Sequence, residues 1–185
     1  MKKFSDGIFI PFDPKSICLS TFFYPALRNG DKAAFQWIRI ALRDQNLLSD
    51  EGFAATEILI PIIIDESHWI LVTLDVTNKV YFTINPYHPT RPSQEELEMA
   101  EFCAQNISEE FGLQEFGEKH PRHIHHLPIQ DDTYNCGVYI AMYMVIYSFG
   151  LNAVEFHGEP LKGQQIQSAR LLVLAWILRG LIYFP

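Results

Sequence analysis

The chain has 185 residues, 48% of them hydrophobic, with a formal net charge of −8 at pH 7 and a pI near 5.3. This is enough apolar material for one compact core without metal or disulfide staples. The acidic balance argues against neutralising phosphates, which needs a Lys/Arg surplus on one face, so neither nucleic acid nor an anionic membrane is an expected partner, whereas a basic protein partner suits such a surface.

No apolar run is long enough to span a bilayer, and the opening MKKFSDGIFIPFDP is broken by Asp6, Gly7 and Pro11 before a signal-peptide core can form. The three cysteines, Cys18, Cys103 and Cys136, are odd in number and far apart, which predicts free thiols in a reducing compartment, cytoplasm or nucleus. No linker or repeat divides the chain. A single domain over 1–185 is expected, as a monomer, with residues 1–15 as an extended lead-in.

In chain order, Ser16 to Leu27 is apolar and reads as a helix that Pro25 must bend or end early, with Asn29-Gly30 as its stop. Asp31 can cap a second helix, in which Phe35, Ile38 and Leu42 recur at helical spacing. Ile58–Ile64, His68–Asp75 and Val80–Ile84 read as three consecutive strands, an antiparallel meander, with Thr77-Asn78 turning the last pair. Ser93 to Glu96 is a capping-box signature, and Leu97, Ala100, Phe102, Ile107 and Phe111 stripe the helix it opens. A short strand is expected at Ile124–Ile129. The polar loop QDDTYNCG then leads into an apolar helix over Val138–Phe149, and an amphipathic helix over Gln164–Gly180 carries Arg170 and Arg179. This order indicates an α+β domain in which helices flank a small, mostly antiparallel central sheet.

A thiol becomes a strong nucleophile where its thiolate is favoured, and the start of a buried helix beside an imidazole is such a place. Cys136 stands at one: it ends a polar loop, opens the apolar helix and precedes Gly137, which permits close backbone approach. Most single cysteines are merely buried thiols, so Cys136 needs a histidine from elsewhere in the fold. His68, in Ser67-His68-Trp69 between two strands, is the best candidate. The ring in turn needs an acceptor that sets its tautomer. Asp75 lies seven residues along the same strand, about 23 Å away and on the opposite face. Asn85 ends the neighbouring strand and can come back alongside, so the spacing selects Asn85.

His68-Trp69, Asn85, Gln130 and Cys136-Gly137, in this order and at these gaps, resemble the constellation of the ubiquitin-like-protein-specific cysteine proteases, the adenain-like clan that includes SUMO proteases. The resemblance covers about residues 16–180; LSTFFYPALRNG is similar to the family's first helix and Ala169-Arg170 to its last. It implies a papain-like, adenain-like fold and a protease or isopeptidase that cuts after the C-terminal Gly-Gly of SUMO or ubiquitin, for deconjugation or precursor maturation. Cys136 would be the nucleophile, His68 the base, Asn85 its orienting group and Gln130 an oxyanion donor. Trp69 and Gly137 would line the slot for the glycine tail. No cofactor or metal is implied.

The chain departs from the family in two places. Most relatives carry aspartate where Asn85 stands, and restoring Asp there is expected to retain or raise activity. A Trp-Leu-Asn-Asp motif that roofs the slot in relatives is missing, and Phe12 or Pro14 would take its place. Two other readings stay open: an acetyltransferase of the same clan, and a domain that only binds a modifier. His120, His123, His125 and His126 lack the ligand spacing of a zinc site and read as a solvated strand. Asp131-Asp132 reads as loop charge, Tyr139, Tyr143 and Tyr147 as helix packing, and Cys18 and Cys103 as inert thiols on apolar helix faces.

Overall fold

The computed structural model describes residues 15–49, 52–119, 122–148 and 158–178; the expected lead-in, Lys15 apart, lies outside them. In chain order the elements are β1 (Ser16–Cys18), α1 (Phe23–Arg28), α2 (Ala34–Asp44), β2 (Leu48–Ser49), β3 (Gly52–Phe53), β4 (Glu57–Ile64), β5 (His68–Asp75), β6 (Val80–Ile84), α3 (Gln94–Phe111), β7 (Gly117–Glu118), a 3₁₀ turn (Arg122–His126), α4 (Cys136–Ser148) and α5 (Gln164–Leu178).

Five strands form one sheet in the order β1-β4-β5-β6-β7. The central three are the expected antiparallel meander, and short parallel strands flank it, β1 on β4 and β7 on β6. β2 and β3 pair separately.

Pro61 is tolerated within β4 for a geometric reason. The Leu59 carbonyl accepts from Leu19 on the β1 side, so by strand alternation the nitrogen of residue 61 also faces that side. β1 pairing stops at Cys18 opposite Leu59, and no ladder bond is lost.

Both faces of the sheet are covered. Ile58, Ile60, Ile62, Ile70, Val72 and Leu74 pack into one cluster with side chains of α1, α2 and α3. Leu59, Leu71, Phe82 and Ile84 face the other way, into a cluster with α4 and with Ile166 and Ala169 of α5. Two-sided burial is why these strands read as nearly unbroken apolar runs, and each fully buried Ile or Leu contributes about 1.5–3 kcal/mol. Tyr139 and Tyr143 are fully buried as helix packing, and their hydroxyls are satisfied: Tyr143 donates to the Pro128 carbonyl at 2.5 Å and Tyr139 accepts from Leu161 N–H at 3.2 Å.

Two expected elements are different. Ser16–Cys18 is a strand, and the helix starts only at Phe23. Pro25 therefore sits in the first turn, where N–H groups have no intrahelical partner, and it opens the helix instead of ending it. The expected strand at Ile124–Ile129 is instead the turn Arg122–His126, in which Ile124 and, just after it, Leu127 are buried at a spacing of three and His125 is exposed. His120 and the side chain of His123 lie outside the described residues.

Ser93 with Glu96 forms the full capping box of α3 as expected. Asp31 does not cap α2 directly: the N-cap is Ala33, and Asp31 Oδ1 orders the turn just before it by accepting from Ala33 N–H at 2.8 Å. Gly158, which precedes α5, has φ +69°, and a Cβ there would stand 2.5 Å from the His125 carbonyl oxygen. Only glycine fits that turn.

Candidate active site

The β5/β6 register builds the first half of the site. β5 begins at His68, and β6 runs back beside it until Ile84 stands opposite Leu71. The next residue, Asn85, thereby reaches the imidazole: Asn85 Oδ1 is 3.0 Å from His68 Nε2. The chain turns at once, and the Tyr87 ring stacks on the imidazole with centroids 4.9 Å apart and planes 26° apart. Asp75 is at the far end of β5, where it accepts from the Asn78 backbone at 2.8 Å and the Asn78 amide at 2.7 Å. It organises the β5–β6 turn and takes no part in the site.

The second half is the loop before α4. Cys136 is the first residue of that helix, 5% exposed, with Sγ 3.9 Å from the carbonyl of Ser67, the residue before His68. Gln130 is buried, and its backbone N–H is tied to the Pro86 carbonyl at 2.8 Å. Its Nε2 donates to the Asp132 carbonyl at 2.7 Å and Oδ1 at 3.1 Å, with the Tyr87 hydroxyl farther off at 3.4 Å. Gln130 Oε1 is buried without a partner among the described residues. Turning the amide over would not relieve it, because Oε1 would then face two Asp132 oxygens.

Asp132 is the hub of this loop and not a free loop charge. It accepts from Tyr134 N–H at 3.0 Å, Asn135 N–H at 2.9 Å and Asn135 Nδ2 at 2.5 Å. Burial pushes its carboxyl up, but these donors and Gln130 outweigh it and hold the group below the usual carboxylate value. Arg170 of α5 donates to Asn135 Oδ1 at 2.6 Å and so ties the last helix to the residue preceding Cys136.

Trp69 leans over the other side. A Cβ on Gly137 would meet Trp69 Cδ1 at 3.6 Å and Nε1 at 3.8 Å, which is ordinary contact, and Gly137 has no positive φ. Backbone approach therefore does not require the glycine. The glycine lets the indole lie close against the start of α4, with room for no more than about a methyl group between them.

His68, Asn85, Gln130, Cys136, Trp69 and Gly137 thus converge where the end of the meander meets the start of α4. Phe12 and Pro14 lie outside the described residues. Tyr87, Asp132, Asn135 and Arg170 were not singled out in the sequence as parts of this site, although the Asp-x-x-Asn spacing just before a helix is a recognisable loop-ordering signal. Cys103 is fully buried in α3, and burial pushes its thiol well above the ordinary value. Cys18 lies on β1, not on a helix, and its sulfur contacts Ser148 Oγ at 3.4 Å. Among the described residues no group of three His, Cys, Asp or Glu could hold a metal, and no helix is long and apolar enough to cross a membrane.

A mixed five-stranded sheet between helices, with a cysteine opening a buried helix against a strand-end histidine, defines the architecture of a cysteine protease domain. The chain belongs to the Ulp1 protease family, whose C-terminal catalytic domain it matches over residues 13–172. Its fold is similar to that of the SUMO protease Ulp1 with the catalytic cysteine oxidised to a sulfonic acid (TM-score 0.65, 20% identity, 90% of this chain and 70% of that one). It is also similar to the Ulp1 C-terminal protease domain in complex with Smt3, the yeast ortholog of SUMO (TM-score 0.61, 20% identity, 90% and 69%), and to the Xanthomonas campestris effector XopD bound to ubiquitin (TM-score 0.52, 17% identity, 89% and 79%). At these identities the likeness shows the fold alone. No curated protein matches the chain.

Proposed function

We propose that this domain is a thiol isopeptidase that cleaves after the C-terminal Gly-Gly of a ubiquitin-like modifier, SUMO or ubiquitin. The observation that carries the reading is the juxtaposition of Cys136, at the head of α4, with the turn that carries His68, whose Nε2 is held by Asn85 at 3.0 Å. Two proteins of similar fold, one in complex with Smt3 and one bound to ubiquitin, support this substrate class, and the net charge of −8 suits a basic partner surface.

In this reading the Cys136 proton passes to His68 Nδ1 and Sγ bonds the glycyl carbonyl carbon, whose oxygen takes up the electron pair. The Cys136 backbone N–H and the Gln130 amide stabilise that oxyanion. Gln130 Nε2 is anchored on the Asp132 carbonyl at 2.7 Å; in this reading its other N–H, shared at rest between Asp132 Oδ1 at 3.1 Å and the Tyr87 hydroxyl at 3.4 Å, turns to the oxyanion as it forms. Collapse breaks the C–N bond, and the departing lysine amine takes the proton from His68. Water then attacks the thioester, leaving its proton on His68, to release the modifier carboxylate and restore the thiol. In this reading Trp69, packed close against Gly137, lines the narrow path of the glycine tail and disfavours larger residues there.

The test is a panel of modifiers ending in propargylamide, scored for covalent adduct by intact mass. An adduct at Cys136 with SUMO or ubiquitin is expected; a panel that stays unlabelled while a general thiol reagent reacts at Cys136 would overturn the reading. Gln130→Ala is expected to slow turnover by about 10²-fold or more with little change in modifier affinity, the usual scale for one oxyanion donor. Equal losses in affinity and turnover would make Gln130 structural.

A further inference from the structure

Asn85 is gripped from two sides. Its Oδ1, which faces His68 Nε2, also accepts from the Tyr87 backbone N–H at 2.9 Å, and its Nδ2 donates to Glu96 Oε1 at 2.6 Å. Glu96 is only 5% exposed, and its second oxygen accepts from Ser93 N–H at 3.0 Å in the capping box of α3.

A carboxylate only accepts, whereas an amide has one accepting and one donating end. Turned over, Asn85 would set Oδ1 against the Glu96 carboxylate and Nδ2 against the Tyr87 N–H, losing both bonds and placing acceptor against acceptor and donor against donor. The amide therefore has one orientation. Its oxygen faces the ring, so His68 Nε2 must carry the proton, and Nδ1 is left as the nitrogen able to accept one.

We propose that Glu96 is a positioning residue of this site: through the Asn85 amide it sets the tautomer of His68, and it supplies from one residue behind the negative charge that a neutral amide lacks. The tautomer part follows from the hydrogen bonds alone; its use in catalysis rests on the protease reading above. Glu96 suits both duties because the N-terminal turn of a helix favours an acidic group. The arrangement also reverses the expectation for Asn85→Asp. Two carboxylates would meet at hydrogen-bond distance, where both cannot stay ionised in place.

The test is the cycle of Asn85→Asp, Glu96→Gln and the double variant. Gln preserves the capping box, but with its oxygen on Ser93 its amide meets the Asn85 amide donor to donor. In the double variant the carboxylate introduced at position 85 accepts from the amide introduced at position 96, from His68 and from Tyr87 together, so every group is paired. Each single change is expected to slow adduct formation by about tenfold or more, the scale on which supporting partners of a working imidazole act. The second change should then recover at least about tenfold over either single variant, a coupling that independent sites do not show. A double variant no faster than the slower single one overturns the proposal.

Ring-nitrogen shifts of His68, read by ¹⁵N NMR at a pH where the ring is neutral, test the same point without substrate. The parent should carry the proton on Nε2, Glu96→Gln should move it toward Nδ1, and the double variant should return it. One unchanged tautomer throughout also overturns the proposal. A parent that shows these shifts but labels with no modifier would count against the protease reading and leave the role of Glu96 standing. Thermal melts of all four proteins separate slowed chemistry from unfolding.

Discussion

Cys136→Ala is expected to abolish adduct formation and cleavage while leaving the fold in place. Loss of the attacking sulfur removes every step that follows, and losing a nucleophile of this kind costs on the order of 10⁶-fold. The structural cost is small. Cys136 is buried, but the hydrogen bond its sulfur makes among the described residues is the long 3.9 Å one to the Ser67 carbonyl, and removing one atom of that size costs about 1 kcal/mol, a shift of about 2–4 °C for a domain of this length. Neither other thiol is expected to substitute. Cys103 is sealed in α3 and held in its neutral form by burial, and Cys18, on β1, is in contact with the Ser148 hydroxyl at the end of α4. Intact mass after incubation with the reactive modifier gives the answer, and a surviving adduct on another cysteine would sink the assignment of Cys136.

Asn85→Ala is expected to give the next largest loss, between about 10²- and 10⁴-fold in turnover, the upper figure being what a mis-set tautomer costs a catalytic triad. The substitution removes the acceptor of His68 Nε2 and of Tyr87 N–H and deprives Glu96 of a donor. Stacking on Tyr87 still holds the ring, but it fixes the plane and not the proton. Some stability goes with it, about 1–3 kcal/mol for a buried acceptor left unmatched, so melts must accompany the rates. Asp75→Ala is the control. It loosens the Asn78 turn at the other end of β5 and should leave turnover nearly unchanged. If Asp75→Ala stopped cleavage and Asn85→Ala did not, the strand register would have been read for the wrong acceptor.

The parts that could be read directly have a local physical cause. β5 and β6 run over the residues that apolar pattern and turn chemistry predict, His68–Asp75 and Val80–Ile84, because β-branched runs bounded by a Thr-Asn turn carry their own boundaries. The capping box at Ser93 is equally local. The edge strands are different. Ser16 pairs with Glu57 and Val80 with Gly117, and strands this short, with partners so far along the chain, leave no period to detect. Ser16–Cys18 was expected to be helical because its apolar run continues into the residues of α1. The turn at Arg122–His126 read as a strand because burial every third residue over so few positions looks like alternation.

The residue types of the candidate site, their order and the choice of Asn85 over Asp75 were determined by the sequence alone, because side chains alternate along a strand and successive strands return beside each other. Only the tertiary structure decided what holds those residues. Asp132 reads as a loop charge until Gln130 and Asn135 close on it, and Arg170 is one helix charge until α5 docks beside α4. Glu96 is plain as a cap, yet its contact with Asn85 exists only because α3 begins beneath the end of β6. A hydrogen-bond partner is set by where two elements meet, and a buried amide takes its orientation from whichever groups the fold brings to its two ends.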